Sequence, residues 1–413
     1  MTVSSGGTTA DAPSEQPAGT ASPRARRPKD RRATIERVAT ELFAEHGYAT
    51  TGVGDIALQV GITPGALYRH FKNKEALLQS ILSGCLGSFL DALEPLPEAE
   101  PYEQLEHAVR STVRLAHSHA AQVSTYLQTA RSLPEAAREE LHAGEQKLAD
   151  EWKKLIRTAN PTLTPADAAA RRRALNGVLG LLARQPEALV KRRLESLFTQ
   201  STLSMLLAPA PVATRTRTKK ARRTWSPPRS RRQQIRDTGA ALIRQHGYHG
   251  VGIDQIGKAA GLSGPTVYST YDSKSDILVD ASDHAIAKVE LALEDALEAA
   301  TSADEAISLI ARSYTATVYA NADIVAIATR EDGSLPQADR LRNHRRRTDF
   351  RQVCAAVLMQ VRTDLAEAEA MALVAAGTSA IQEVSLLHRN RPSEAAAVAL
   401  VEHFVRADLP TEA

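Results

Sequence analysis

Apolar positions recur at helical spacing from residue 35: Ile35, Val38, Ala39, Leu42 and Phe43 make one face. Asp30 is placed to cap that helix. Gly47 is placed to end it, because helices often close on a left-handed residue that glycine adopts cheaply. A short second helix is predicted over Val53 to Val60, with Ile56 and Val60 inward, and Gly61 then turns the chain. Thr63 caps a third helix, and Pro64 fits its first position, where no amide hydrogen is needed. Leu67 and Phe71 face the core, and Asn73 caps a fourth helix that begins at Lys74. Downstream, residues 76–206 and 277–408 read as amphipathic helices broken at Pro134, Pro161, Pro165, Pro186 and Pro336.

The whole pattern occurs twice. The segment beginning at Arg31 aligns without a gap on the segment beginning at Arg231, an offset of 200. His46-Gly47-Tyr48 matches His246-Gly247-Tyr248; Gly61, Tyr68 and Lys74 match Gly261, Tyr268 and Lys274. Ser132-Leu133-Pro134 returns as Ser334-Leu335-Pro336, an offset of 202, so the duplication extends into the helices C-terminal to each head. Ser230 takes the capping place of Asp30.

Composition narrows the fold class. Aromatic residues are only 4% of the 413 residues, and the apolar content is mostly Ala and Leu, which favours helix over sheet. An all-α fold is expected. No run approaches the ~18–20 apolar residues needed to cross a bilayer, and no apolar secretory segment follows Met1. Cys85 and Cys354 match no zinc or redox spacing. A cytoplasmic, nucleoid-associated protein with no membrane partner is expected. The net charge of +3 is less informative than its placement. Arg24, Arg26, Arg27, Lys29, Arg31 and Arg32 precede the first head. Arg215, Arg217, Lys219, Lys220, Arg222, Arg223, Arg229, Arg231 and Arg232 precede the second. Such arms can lie along phosphates or enter the minor groove, the alternative being a solubilising tail.

Two short helices joined by a glycine-containing turn form a helix-turn-helix, whose second helix enters the major groove with its N-terminal end. The exposed positions of that helix are Thr63, Pro64, Gly65, Ala66 and Arg69. The Arg69 fork matches guanine edges and phosphate oxygens, and Gly65 and Ala66 allow close approach. Tyr68, His70 and Lys74 are placed for phosphates, which fix position more than sequence.

From His46-Gly47-Tyr48 through the run TGVGDIALQVGITPGALYRHFKNKEALL, the chain closely resembles the TetR family of transcriptional regulators. The resemblance implies an all-helical unit with a three-helix DNA head and a divergent helical domain that holds an effector pocket and a dimer interface. Carried over, Thr51, Thr63, Pro64, Ala66, Tyr68, His70 and Lys74 contact DNA. The second head departs from the pattern: Val251 stands for Thr51, Ser269 for Arg69, Thr270 for His70 and Asp272 for Lys72, and Asp254 adds an anion. Each lost cation removes a phosphate contact. Ser263, Pro265, Thr266, Tyr268 and Lys274 keep the scaffold, so a weaker head of different preference is expected.

The expected divisions are a basic arm (1–29), a head (30–80), a helical regulatory domain (81–207), a basic Pro-rich linker (208–229), a second head (230–280) and a second regulatory domain (281–413). The resemblance implies a four-helix bundle, with candidates 166–184, 187–206, 366–388 and 393–407. Formed within one chain, it makes a pseudo-dimer; the rival is a homodimer with four heads. Half-sites about 34–36 Å apart are within reach of some twenty linker residues, which extend to ~70 Å.

Pocket candidates are Tyr126, Gln128, Arg131 and Trp152 in the first unit, and Tyr314, Tyr319, Arg330 and Glu331 in the second. The effector expected is a small molecule, with an apolar one among the alternatives. No nucleophile, base and orienting group assemble in a recognisable context, so no enzyme and no cofactor are expected. His117 and His119 lie two apart, on different helix faces, and make poor joint metal ligands. The function implied is sequence-specific recognition of a double-stranded operator, with effector-released repression. The alternative is a ligand-sensing homodimer in which the second head no longer binds DNA.

Overall fold

The structure is a computed structural model that describes residues 28–129, 133, 135–184, 191–209, 228–387 and 391–408. The described elements are helical, and no strand occurs among them. The first unit contains α1 (Pro28–His46), α2 (Val53–Val60), α3 (Pro64–Tyr68), α4 (Lys74–Asp91), α5 (Pro101–Ser118), α6 (Ala120–Thr129), α7 (Glu135–Ala159), α8 (Pro165–Leu182) and α9 (Lys191–Leu207). The second repeats the order: α10 (Arg231–His246), α11 (Ile253–Ala259), α12 (Gly264–Tyr268), α13 (Lys274–Ala299), α14 (Ala303–Ala320), α15 (Ala322–Arg330), α16 (Gln337–Val361), α17 (Glu367–Ser385) and α18 (Glu394–Val405). The helices after the heads keep the 202-residue offset: Pro101 opens α5 where Ala303 opens α14, and Glu135 opens α7 where Gln337 opens α16.

The heads arise from their caps and apolar faces. Ile35, Ala39, Phe43, Ile56, Leu67, Leu77 and Leu78 are fully buried together. Gly61 closes α2 at φ +73°, a conformation that only glycine adopts without strain. Asn73 Oδ1 accepts from the Ala76 amide at 2.8 Å. Helix α1 begins at Pro28, so Asp30 lies inside its first turn instead of capping it. Ser230 does cap α10, in a reciprocal box with Gln233. The fourth head helix does not stop at the head: α4 runs on to Asp91 and α13 to Ala299, so each head shares a helix with its regulatory domain.

The two units meet in a four-helix bundle of α8, α9, α17 and α18, in which α8 against α17 is the most extensive helix pair of the chain. A Cβ at Gly177 of α8 would lie 2.5 Å from the Ser379 carbonyl oxygen of α17, so the backbones touch there because residue 177 has no side chain. Phe198 and Phe404 meet edge to face at 6.1 Å. Arg173 pairs with Glu383 at 2.7 Å and Arg193 with Glu369 at 2.6 Å, both across the boundary. Buried side chains of α8, α9, α17 and α18 belong to one continuous apolar cluster. At about 25 cal/mol per Å² of apolar area withdrawn from water, such a seam is a main source of cohesion between the halves.

Candidate DNA interface and regulatory cavity

The recognition helix α3 is short, so its order depends on its ends. Thr63 has extended backbone (φ −78°, ψ 152°), and its Oγ1 accepts from the Ala66 amide at 3.2 Å. Pro64 occupies the first turn, and Leu67 is the buried anchor. This leaves Thr63, Pro64, Gly65, Tyr68 and Arg69 exposed, with Ala66 and His70 half-buried. A Cβ on Gly65 would meet nothing within 4 Å, which marks an open face. Tyr68 is 51% exposed, and Lys72 is exposed on the loop after α3.

Thr51 and Lys74 are placed differently. Thr51 is buried, and its hydroxyl donates to the Gly47 carbonyl at 2.9 Å. The Lys74 ammonium lies 4.2 Å from the Tyr48 ring centroid, and burial lowers its pKa despite Glu75 nearby. Both side chains thus brace the turn after α1, and what they offer a duplex is positioning. Arg32 braces the other side: it donates to the His70 carbonyl at 3.2 Å and lies 4.3 Å from the Phe71 ring centroid.

The second head keeps the frame and changes the exposed chemistry. Lys274 donates to the carbonyls of Tyr248 (2.7 Å) and Val251 (2.8 Å). Tyr268 is 50% exposed, as are Ser263 and Pro265 in kind, with Thr266 half-buried. The Ser263 hydroxyl is 2.8 Å from the Thr266 hydroxyl and makes no bond to the helix backbone. Asp254 Oδ1 lies 3.3 Å from where a Cβ of Gly264 would stand, so a carboxylate flanks the opening of α12. Of the basic arms, Arg26, Arg27, Arg222 and Arg223 lie outside the described residues, as does the Lys29 side chain. Arg229 is exposed and sits 3.6 Å from Asp237.

Beneath the first head is a cavity of about 890 Å³, walled by α4, α6, α7 and α8 of the first unit and by α15 and α17 of the second. Tyr126, Trp152 and Arg330 line it; Arg131 and the Gln128 side chain lie outside the described residues. Tyr126 donates to Glu145, and burial, together with that carboxylate, raises the phenol pKa. Tyr314 instead lines a void of about 70 Å³ in the second unit, where it is buried 5.7 Å from Phe350 and bonded to Gln382 at 2.8 Å. Tyr319 belongs to neither, its hydroxyl donating to the Pro392 carbonyl at 3.2 Å. Glu331 lines neither. Sequence reading missed Arg172, Arg184 and Glu383. The available signal was that two of the four arginines in an Ala/Leu-rich stretch, Arg172 and Arg184, have Val374 and Leu386 at the corresponding places of the second unit.

Cys85 also faces the cavity, and burial pushes its thiol up to about 12, as it does that of Cys354. No cluster of three metal-ligating side chains occurs among the described residues. Among them, no helix is long and apolar enough to cross a membrane.

The model of "Bacterial regulatory proteins, tetR family" matches residues 35–81 and again 235–281, and the "Tetracyclin repressor-like, C-terminal domain" model matches 98–184. The HTH-type transcriptional repressor KstR2 of Mycobacterium tuberculosis is 33% identical over 105 residues, 25% of this chain and 52% of that protein. The fatty acid metabolism regulator protein of Bacillus subtilis is 41% identical over 56 residues, 14% of this chain and 29% of that protein. The chain thus spans about half the length, at most, of these curated relatives. A crystal structure of a tetR-family regulatory protein from Rhodococcus RHA1 aligns with 43% of this chain and 96% of its own, at 23% identity and a TM-score of 0.39. With both head matches falling on the two capped helix-turn-helix units, the chain carries the head of the tetR family of bacterial regulatory proteins twice.

Proposed function

We propose that this chain is a sequence-specific, double-stranded-DNA-binding transcriptional regulator of the cytoplasm, a repressor released by a small-molecule effector. It acts as a single-chain pseudo-dimer. The observation that carries the reading is an exposed recognition helix at Thr63, capped and flanked by Arg69 and Lys72, in a chain whose halves share one bundle. The capped helix presents Arg69 to base edges, while Tyr68, His70 and the backbone amides at Thr63 meet phosphates. Buried Thr51 and half-buried Lys74 set the angle of the head.

Release is transmitted by the walls of the cavity. Helix α6 packs on α1, with Thr125 donating to the Thr40 carbonyl at 3.4 Å. Helix α7 meets α4, where Gln79 donates to Glu140 at 2.6 Å. Helix α15 holds the second head through Arg244 and Asp323. A ligand that fits the cavity better when these helices spread biases both heads away from operator spacing, by as much as its affinity differs between the two arrangements.

A second reading is favoured by Asp254 beside α12 and exposed Asp272: the second head completes the bundle but does not engage DNA, and chains then pair to bring two first heads to an operator. Fluorescence anisotropy on selected duplexes, titrated with salt, tests the proposal. Specific binding should weaken steeply as salt rises, in proportion to the phosphates neutralised. Affinity for no duplex, or affinity indifferent to salt, overturns it.

A further inference from the structure

The two regulatory domains differ where a ligand would lie. At the 202-residue offset, Leu148, which lines the cavity of the first unit, stands where the second has Phe350. Around the small void of the second unit, Phe350 packs on Tyr314, and Arg346 donates to Glu290 at 2.8 Å. One unit therefore keeps about 890 Å³, within the range of small-molecule sites, and the other about 70 Å³, too little for one.

The larger cavity also carries charge on its walls. Six Arg and Lys residues line it against four Glu. Glu383 is taken by Arg173 at 2.7 Å and by Arg330. Arg172, half-buried on α8, makes no hydrogen bond or ion pair among the described residues, and neither does Arg184, exposed at the cavity rim just past the end of that helix. Their counterparts in the second unit are Val374 and Leu386. The lining also has apolar members, among them Leu86, Phe89, Val123, Leu127 and Trp152. The Arg172 guanidinium, half-buried and with only the carboxylate charges of Glu145 and Glu383 acting on it from beyond hydrogen-bond distance, gains from an anionic ligand that it can bond directly.

We infer that the chain has one effector site, in the first unit only, that takes a singly charged anion with an apolar tail, its head between Arg172 and Arg184. The inference rests on the effector-released reading above and adds the class and number of the ligand. Because Thr329, Arg330 and Gln382 of the second unit share the walls, one ligand touches both halves at once.

Calorimetric titration of the intact chain with decanoate, decanol and decyltrimethylammonium tests this. Decanoate should bind at one equivalent per chain and at least tenfold more tightly than either other probe, with Trp152 emission changing in step. Arg172→Val should weaken decanoate by about ten- to hundredfold and leave decanol unchanged. Leu148→Phe should weaken both, by taking up the tail space. Two equivalents per chain, no decanoate binding, or equal affinity for the three probes overturns the inference. The probe series on the unaltered chain decides the matter even where a variant fails to fold. Duplex anisotropy on the same preparation separates the two readings: salt-sensitive DNA binding without anion preference removes only this one, and one-to-one decanoate binding without DNA binding removes only the regulator.

Discussion

Gly177→Ala is the sharpest perturbation of the shared bundle. The new Cβ would lie 2.5 Å from the Ser379 carbonyl oxygen, 2.6 Å from its carbon and 2.7 Å from the Ala380 nitrogen, all backbone atoms that cannot rotate away. That is roughly 1 Å short of an ordinary contact, so α8 and α17 must part along the seam. Overpacking against backbone costs about 2–3 kcal/mol, while replacing glycine in a helix returns about 1 kcal/mol. The net loss is therefore about 1–2 kcal/mol. Gly84→Ala is the control: its Cβ meets nothing within 4 Å on exposed α4, so the same change should gain about 0.5–1 kcal/mol. Urea unfolding monitored by circular dichroism reads both as shifts of midpoint at constant slope. Opposite signs support direct backbone contact between the units. A Gly177→Ala chain as stable as the unaltered protein, or more so, refutes it.

Three further outcomes are expected. Arg69→Ala should cost about 1–3 kcal/mol on the preferred duplex and relax sequence choice, whereas Lys74→Ala should lower the melting temperature as well as affinity for every duplex, because its ammonium lies over Tyr48; competition binding and thermal melts distinguish them. Burial raises the Glu383 pKa, but Arg173 and Arg330 outweigh it and hold the carboxyl below its ordinary value, so its stabilising effect is present above the unfolded pKa of about 4.3 and is lost as pH falls through the folded one. Glu383→Gln should accordingly cost about 1–2 kcal/mol at pH 7, with the gap closing below about pH 4; a gap that persists in acid contradicts the pairing. Ellman's reagent at pH 8 should find neither Cys85 nor Cys354 until the chain is unfolded, since burial holds both thiols near 12, and rapid native labelling contradicts that burial.

Much of the fold could be read from periodicity and caps. Thr63, Asn73 and Ser230 cap as their residue types require, and Gly61 takes the left-handed turn. The bundle helices were legible within a few residues because Ala and Leu at helical spacing have few other uses: 366–388 against Glu367–Ser385, and 393–407 against Glu394–Val405. The limits were of two kinds. A helix that continues past its head, as α4 does to Asp91, carries no stop signal at residue 80. The cavity is a difference in packing between distant helices, so Leu148 at the place of Phe350 becomes meaningful only once the repeats are superposed as solids. The sequence likewise did not reveal that Thr51 bonds back to Gly47 or that Lys74 lies over the Tyr48 ring, because polarity says nothing of which way a side chain turns.

The central claim is that two unlike heads in one chain read one stretch of duplex. Site selection from random oligonucleotides with the intact protein, combined with the solution mass of the complex, tests it most directly. The account predicts an asymmetric site with half-sites about one helical turn apart, bound by a single 44.5 kDa chain and released by added salt. A palindrome occupied by two chains, or no enriched sequence at all, contradicts it.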